Sequence, residues 1–282
     1  MAADRGLAGR VAIVTGGAGG IGQALVRAFT AAGMRVGIAE IGGAPAARLA
    51  EEIGAERALA VATDVADPAS CAACVAQVRA RFGRVDVLVN NAGLGMGLVR
   101  ADHMSRTVQI EDIAPEIWQR VVAVNLSGAF FMAHAAVPLF RAQRWGRIIN
   151  VTTSFFTMLR PGFSPYGPAK SGLEAWSASL AGELKGSGIT VNVVVPGGPT
   201  DTPMVPVESG IDRAQLIRPE RMAHPMLYLC SDAAAEVTGR RFVAAHWDPA
   251  LPDAEAAARA GAAAGWPDLA QNPVWPGGKP AV

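Results

Sequence analysis

The chain has 282 residues, of which 51% are hydrophobic and 17% charged, and its formal net charge is +1. This composition is typical of a globular protein with a large buried core and excludes an intrinsically disordered chain. Because the net charge is close to zero and the basic residues are scattered, nucleic acid and anionic membranes are not expected as partners.

The N-terminal segment MAADRGLAGR has no apolar core ahead of a cleavage site, so we expect a cytoplasmic protein without a secretory signal. Three cysteines are too few for a disulfide framework. The longest apolar stretch, residues 127–140, is shorter than the roughly 20 residues that span a bilayer, and it contains His134 and Pro138. It therefore predicts a buried helix, and neither a membrane nor a metal ion is expected as a partner.

Short apolar strands alternate with helices in the first half of the chain. Helices are predicted after the first strand and after Pro45 and Pro68. The predicted strands are residues 11–14, 35–39, 58–62 and 85–89. Because these strands are uniformly apolar, they suit a parallel sheet that is covered on both faces.

Cys71 and Cys74 form a Cys-x-x-Cys pattern within the third of these helices. Asp67 can cap that helix, and Pro68 suits its first turn. A thioredoxin-like motif should instead follow a strand directly, so a redox role is not favoured.

The second half continues the alternation and ends in a tail of different composition. A long helical region is predicted from about Pro115 to Gln143, and later helices carry Tyr166 and residues 219–230. Strands are predicted at 147–151, 189–195 and 241–245. The fold class is therefore α/β, a single doubly wound domain over residues 1–248 with about seven parallel strands, followed by a Pro/Ala/Gly-rich extension over 249–282.

The motif TGGAGGIG, from Thr15 to Gly22, lies at the junction of the first strand and the first helix. Gly16 permits a tight turn, while Gly20 and Gly22 let the backbone approach a diphosphate closely. The N–H groups at the helix start then face the anion. This context predicts a dinucleotide site, although a plain strand-to-helix turn would carry the same pattern.

Glu40 follows the second strand, where a carboxylate can accept hydrogen bonds from the hydroxyls of an adenosine ribose. The same charge would repel a 2′-phosphate, and residues 17–19 and 41–43 contain no Arg or Lys. NAD(H) is therefore favoured over NADP(H). The alternative is a solvated surface glutamate.

Further motifs follow in a defined order: NNAG at 90–93, Asn125, Tyr166 with Lys170, and PGGPTDT at 196–202. Together with the glycine motif they resemble the short-chain dehydrogenase/reductase family, and the resemblance covers about residues 8–245. It implies a Rossmann-type fold and an oxidoreductase that transfers hydride between NAD(P)(H) and the CH–OH group of a secondary alcohol or the corresponding ketone.

The resemblance also implies which residues contact the cofactor. Asp64 and Val65 match the adenine contacts, and the NNAG segment, including Asn90, steadies the sheet beside the cofactor. The PGG segment has one extra residue, so either Thr200 or Thr202 supplies the hydroxyl for the carboxamide. The implied set is Gly16, Gly20, Ile21, Gly22, Glu40, Asp64, Val65, Asn91, Ala92, Gly93, Tyr166, Lys170, Pro196, Gly197, Thr200 and Thr202.

Tyr166 and Lys170 are four residues apart, so on a helix they lie on one face. A free phenol has a pKa near about 10, and a neighbouring ammonium together with the positive nicotinamide would lower it towards the useful range for general acid–base catalysis. Tyr166 would then exchange the substrate proton, and Lys170 would bind the nicotinamide ribose. Asn125 matches the family residue whose backbone holds a water that connects the lysine to solvent.

The hydroxyl donor departs from the family pattern. Counting back from Tyr166 to the position of the usual serine gives Thr153, with Ser154 next to it. Because successive side chains at a strand end point to opposite faces, only one should enter the cleft. Thr153 is favoured by spacing, and Ser154 stays open.

Soft apolar residues near the expected site suggest a hydrophobic alcohol or ketone as substrate. They are Met96, Phe155, Phe156, Met158, Phe163 and Met204. The long segment between Gly93 and Asn125 is expected to cover one side of the cleft. Its His103 and Arg106 could meet a polar substrate group, but loop residues are mostly solvated, and we expect an exposed position for both.

Trp247, Trp266 and Trp275 give the C-terminal extension a docking character, and we hypothesise that residues 249–282 cross to a neighbouring subunit. Small residues on the helix after Tyr166 suit close helix packing, so a homo-oligomer, a tetramer or dimer, is expected by family analogy. The competing hypothesis is a regulatory dinucleotide-binding protein that has lost turnover.

Overall fold

Seven parallel strands and one antiparallel strand form the central sheet of the chain, whose computed structural model describes residues 5–269. The strands are β1 (Val11–Thr15), β2 (Arg35–Glu40), β3 (Ala58–Ala62), β4 (Val87–Asn90), β5 (Gly146–Val151), β6 (Ile189–Val195), β7 (Arg240–Val243) and β8 (Gly261–Ala263). Their spatial order is β3-β2-β1-β4-β5-β6-β7-β8. The predicted doubly wound α/β fold is therefore confirmed.

Helices cover both faces of this sheet. They are α1 (Gly20–Ala31), α2 (Gly43–Ile53), α3 (Pro68–Phe82), α4 (Pro115–Val122), α5 (Gly128–Gln143), α6 (Phe155–Leu159), α7 (Tyr166–Glu183), α8 (Ala223–Cys230) and α9 (Asp253–Ala260). Strand β1 shows why both faces are apolar: Ala12 and Val14 join the core beneath α1, α2 and α8, while Val11 and Ile13 join the core beneath α3, α5 and α7. Alternate side chains of one strand thus fill two cores.

The start of α3 follows from its sequence. The Asp67 side chain accepts a hydrogen bond from the backbone N–H of Ala69 at 2.9 Å, and Pro68 occupies the first turn. Cys71 and Cys74 are both buried in this helix, and burial raises the pKa of the Cys71 thiol to about 12. Both cysteines therefore lack the accessible thiolate that a redox motif needs.

The predicted helical region Pro115–Gln143 is α4, a π-helical turn over Ala123–Ser127, and α5. Within residues 5–269 it is the single stretch whose length and apolar composition would suit a membrane span. However, Met132, Ala136 and Phe140 on α5 are fully buried against the sheet, so the stretch is a core helix of this fold.

The C-terminal extension adds a strand that the sequence did not predict. Trp247 is buried beside Tyr228 and Phe242, with ring centroids 5.6 and 6.3 Å away. From there the chain forms α9 and then β8, which pairs antiparallel with β7. The sheet therefore extends beyond residue 248, and residues 249–269 lie against their own chain. Trp275, and with it the rest of the predicted docking segment, lies outside the described residues.

Replacing Trp247 with Ala should destabilise the protein, because it leaves a large cavity where the extension joins the core. We expect the free energy of unfolding to fall by about 3–5 kcal/mol in urea denaturation. Val207→Ala is the control, since Val207 is 84% exposed and its loss should cost much less. Equal losses for the two variants would contradict this position of Trp247.

Candidate active site

The glycine motif forms the turn from β1 into α1. Gly16 and Gly20 have positive φ angles of +60° and +47°, which favour glycine. A Cβ atom at Gly22 would overlap the carbonyl oxygen of Gly16, so the third glycine is required by the close approach of helix and turn. Gly19 is the N-cap residue of α1, so no capping side chain covers the helix start. This arrangement fits a diphosphate; Ile21 packs against the core behind it.

Glu40 lies beside this turn at the end of β2. Its carboxylate accepts hydrogen bonds from the backbone N–H groups of Ala18 at 3.3 Å and Ile41 at 3.1 Å. The side chain is thus held against the glycine turn rather than extended into solvent. Its position fits the ribose of a dinucleotide.

The NNAG segment ties the end of β4 to the glycine turn. Asn91 Nδ2 donates to the carbonyl oxygens of Thr15 at 3.0 Å and Gly16 at 3.2 Å. The Ala92 N–H donates to Thr15 Oγ1 at 3.0 Å. Asn90 lies one step back, where its Nδ2 donates to Asn150 Oδ1 at 2.8 Å on β5. These bonds hold three neighbouring strand ends in register.

Two further predicted contacts lie after β3. The Asp64 carboxylate accepts from the Ala66 N–H at 2.9 Å and lies 3.5 Å from the Arg120 guanidinium. Val65 is buried against Gly128, where a Cβ atom would be 2.9 Å from the valine side chain. Val65 therefore packs under α5, and Asp64 stands nearer the cleft surface.

The PGG segment directly follows the end of β6. Gly197 has φ +106° and packs so closely on Val243 that a Cβ atom there would lie 2.9 Å from it, while the Pro196 carbonyl accepts from Ala245 at 3.0 Å. Thr200 is buried, and its hydroxyl donates to Gly198 at 3.2 Å.

Thr202 reaches the glycine turn. Its Cγ2 lies 2.9 Å from where a Cβ of Gly20 would stand, and its hydroxyl donates to the Thr200 carbonyl at 3.4 Å. Thr202 therefore lies beside the predicted diphosphate position. The geometry does not decide whether Thr200 or Thr202 would contact the carboxamide of the nicotinamide.

Helix α7 begins at Tyr166 and buries Lys170 one turn later. The Lys170 ammonium donates to the Val151 carbonyl oxygen at 2.7 Å, at the end of β5. Burial lowers the pKa of Lys170 to about 8. Burial also raises the pKa of Tyr166 to about 12, and a hydrogen bond with the Thr153 side chain opposes that shift. Desolvation is therefore the larger effect on the phenol here, and the combined lowering of its pKa by Lys170 and an oxidised nicotinamide stays a prediction.

The two candidate hydroxyl donors have different environments. The Thr153 side chain lies close enough to the Tyr166 phenol to oppose the rise that burial causes in its pKa. Ser154 instead caps α6: its Oγ accepts from the Thr157 N–H at 3.2 Å and pairs with Thr157 Oγ1 at 3.0 Å. The structure thus brings Thr153, and not Ser154, to the tyrosine.

Asn125 lies in the π-helical turn and is buried. Its amide pairs twice with Leu94, accepting from the N–H at 2.7 Å and donating to the carbonyl at 2.9 Å. A Cβ at Gly93 would lie 3.5 Å from Asn125 Oδ1 and 3.6 Å from Lys170 Nζ, so both side chains lie beside Gly93. Irregular helical turns of this kind are frequent at functional sites.

The long segment after Gly93 packs over the site. Met96, Val108 and Phe163 form a buried cluster that Tyr166 joins. His103 is 6% exposed, and its ring meets Phe163 edge-on at 5.9 Å. The expected exposure of His103 is therefore wrong, because this loop is long enough to form its own small core.

The predicted apolar residues differ in burial. Met96, Met158 and Phe163 are buried, Phe155 is partly buried, and Phe156 and Met204 are 74% and 43% exposed. A further residue missed by the sequence analysis is Glu174, which is fully buried and continues the four-residue spacing of Tyr166 and Lys170. This four-residue spacing is the pattern in the sequence that could have identified Glu174 as a buried residue on the same helix face.

The model of the short chain dehydrogenase family matches residues 10–209. The chain belongs to this family. It is 37% identical over 247 residues to a 3-oxoacyl-[acyl-carrier-protein] reductase of Synechocystis sp., covering 84% of this chain and 95% of that protein. It is 31% identical over 254 residues to a D-beta-hydroxybutyrate dehydrogenase of Rhizobium meliloti, covering 82% and 95%.

A solved structure of this short-chain dehydrogenase family resembles the chain along most of its length. It is the 3-ketoacyl-(acyl-carrier-protein) reductase from Brucella melitensis in complex with NADH, with a TM-score of 0.71 and 32% identity over 82% of this chain and 95% of that one. The similarity supports the sheet order and the position of the cleft at the carboxyl ends of the parallel strands.

The buried Lys170 should make stability depend on pH. Its folded pKa of about 8 lies below the unfolded value of about 10.4. Below about pH 8 both states carry the proton and the folded state bears the full cost of burying the charge; above it the folded state has lost the proton first, so the free energy of unfolding rises with pH. We expect wild type to gain about 2 kcal/mol over Lys170→Met between about pH 7.5 and 10 in urea unfolding.

Lys185→Met provides the control, because Lys185 is exposed on the surface. The free energy of unfolding of Lys185→Met should depend on pH in the same way as that of wild type. If Lys170→Met also matched wild type, the ammonium would not be buried as described.

Proposed function

We propose that this short-chain dehydrogenase transfers hydride between NAD(H) and a secondary alcohol or ketone, with Tyr166 as the general acid and base. The observation that carries the proposal is the grouping of Tyr166, Thr153 and Lys170 at the end of β5, with Asn125 beside the lysine. When bound, the nicotinamide supplies or accepts the hydride, and its oxidised form adds a positive charge that favours the phenolate.

Tyr166 suits proton donation to a carbonyl, because its raised pKa of about 12 keeps the phenol protonated at neutral pH. Thr153 contributes the second hydroxyl, which would stabilise negative charge that develops on the substrate oxygen. Because ketone reduction consumes a proton, a phenol that is protonated near neutrality suits the reducing direction, and alcohol oxidation would use the phenolate form.

Lys170 and Asn125 would replace the proton after each turnover. The Lys170 pKa of about 8 lies near neutrality, so the ammonium can lose and regain a proton under ordinary conditions. The Asn125 amide is occupied by Leu94, which leaves the backbone of the π-helical turn as the group that would hold a water. Lys170 would also donate to the nicotinamide ribose.

The preference for NAD(H) over NADP(H) rests on Glu40. Its carboxylate is held at the edge of the glycine turn, where a 2′-phosphate would meet a negative charge, and the following Ile41, Gly42 and Gly43 offer no cation. The NADH complex of the similar Brucella melitensis reductase supports a nicotinamide dinucleotide as the cofactor.

The substrate is proposed to be hydrophobic, since exposed apolar side chains lie on α6, directly after Thr153 and Ser154. Phe156 and Leu159 on α6 are 74% and 82% exposed. The names of both curated relatives also indicate ketone or secondary alcohol chemistry. We further propose that the protein is cytoplasmic and forms a homo-oligomer. Trp118 on α4 and Phe130 on α5 leave large apolar side chains at the surface, which supports a subunit interface there.

Tyr166→Phe should lower kcat for ketone reduction by about 10²–10⁴-fold, because the proton donor is removed while the ring remains. Thr153→Val should also lower kcat, whereas Ser154→Ala should affect only the α6 cap. A panel of ketones and secondary alcohols with NADH and NAD⁺ provides the measurement. NADH binding without turnover in wild type would favour the regulatory alternative, and a larger effect of Ser154→Ala would assign the hydroxyl to Ser154.

Glu40→Ala tests the cofactor preference. Loss of hydrogen bonds to a charged acceptor should weaken NADH binding by about tenfold or more, and NADPH should bind better once the repulsion is gone. Fluorescence titration with both cofactors measures the ratio of the two Kd values. Glu51→Ala, at an exposed position on α2, should leave the ratio unchanged. A wild type that prefers NADPH would contradict the role given to Glu40.

A further inference from the structure

Glu174 is a fully buried carboxylate on the face of α7 that also carries Tyr166 and Lys170. It accepts hydrogen bonds from Thr152 Oγ1 at 2.9 Å and from Arg241 Nε at 2.8 Å. The backbone N–H of Gly265 lies close enough to this carboxylate to oppose the rise that burial causes in its pKa. These donors come from the β5 end, from β7 and from the C-terminal extension, so one carboxylate joins three separate parts of the chain.

Arg241 extends this network to Thr153 and Phe155. Its side chain is 8% exposed, and its Nη2 donates to the Thr153 carbonyl oxygen at 3.3 Å. The guanidinium also lies over the Phe155 ring, 4.2 Å from the centroid. One planar cation thus fixes the residue that meets the phenol and the first residue of α6.

The C-terminal extension closes the network from outside. Ala262 on β8 pairs with Arg241 on β7. After β8, Gly265 turns with φ +74° so close to α7 that a Cβ there would lie 2.5 Å from Ala178 Cβ. Trp266 then packs on Phe155, with ring centroids 5.3 Å apart. The extension therefore returns to the active site of its own chain.

A buried ion pair is a weak source of stability, because desolvation offsets its attraction and apolar residues of similar volume often serve as well. The Glu174–Arg241 pair is better explained by geometry. Arg241 bonds to the backbone of Thr153, whose side chain reaches Tyr166, and a small misplacement of such a group lowers turnover strongly.

We propose that Glu174 and Arg241 are positioning residues that hold Thr153 against Tyr166, and that the Gly265–Trp266 turn makes the C-terminal extension a structural part of the active site in its own subunit. The catalytic consequence rests on the proposed function. The structural consequence, that the segment around Thr153 is held in place, does not depend on the proposed function.

Trp266→Ala and Arg241→Lys test the network with limited risk to folding. Trp266 is only partly buried, and a lysine at 241 can keep the ion pair with Glu174 while losing the bond to Thr153. We expect each variant to lower kcat by about tenfold to a hundredfold, with the Kd for NADH within about twofold of wild type. The double variant should lose less than the product of the single losses, because both act on Thr153.

Two exposed positions supply matched controls. Leu269→Ala removes an apolar side chain that is 85% exposed in the same segment as Trp266. Arg259→Lys alters an arginine whose pair with Glu255 is exposed on α9. Both should leave kcat unchanged.

Amide hydrogen exchange gives a readout that does not require turnover. In both test variants, exchange should increase over residues 152–156 and 262–266, while β1 and β4 stay protected. If wild type turns over no substrate, the proposed function fails and exchange alone decides this inference. Unchanged exchange at residues 152–156 would overturn it, as would a loss of kcat accompanied by loosening throughout the sheet.

Discussion

The burial of one face of α7 is the constraint on which the site depends. This face places Tyr166, Lys170 and Glu174 under the end of β5, where each polar group must find a partner inside the protein. Lys170 finds the Val151 carbonyl, and Glu174 finds Thr152 and Arg241. Because the helix cannot rotate or slide without leaving a buried charged group unpaired, the partners of Lys170 and Glu174 help to fix the position of the phenol, together with its own packing against Met96, Val108 and Phe163.

The sheet order determines which other residues meet there. The chain reverses direction across the sheet between β1 and β4, and the carboxyl ends of these strands carry the glycine turn and the NNAG segment. Such a reversal opens a crevice between loops that run to opposite sides. A dinucleotide along it would pass Glu40 at one end and reach Lys170 at the other, so the topology accounts for motifs that are more than a hundred residues apart in sequence.

Much of the fold and of the candidate site can be predicted from the sequence, because strands that are apolar on both faces and glycines at a strand-to-helix turn leave strong local patterns. What could not be predicted depends on tertiary contacts. β8 is only Gly-Ala-Ala and has no pattern of its own. The choice between Thr153 and Ser154 depends on the α6 cap. The high phenol pKa depends on burial, which the spacing of Tyr166 and Lys170 does not reveal, and the partners of Glu174 come from distant strands.

The short antiparallel strand also changes what the outer border of the sheet can do. A strand at a border exposes unpaired N–H and C=O groups that can recruit a further strand from another molecule. Here β8 covers β7 along Arg240–Phe242 and is itself only three residues long. Because a short edge strand offers few groups for pairing, continuous β-pairing from one copy of the protein into the next is disfavoured at this border.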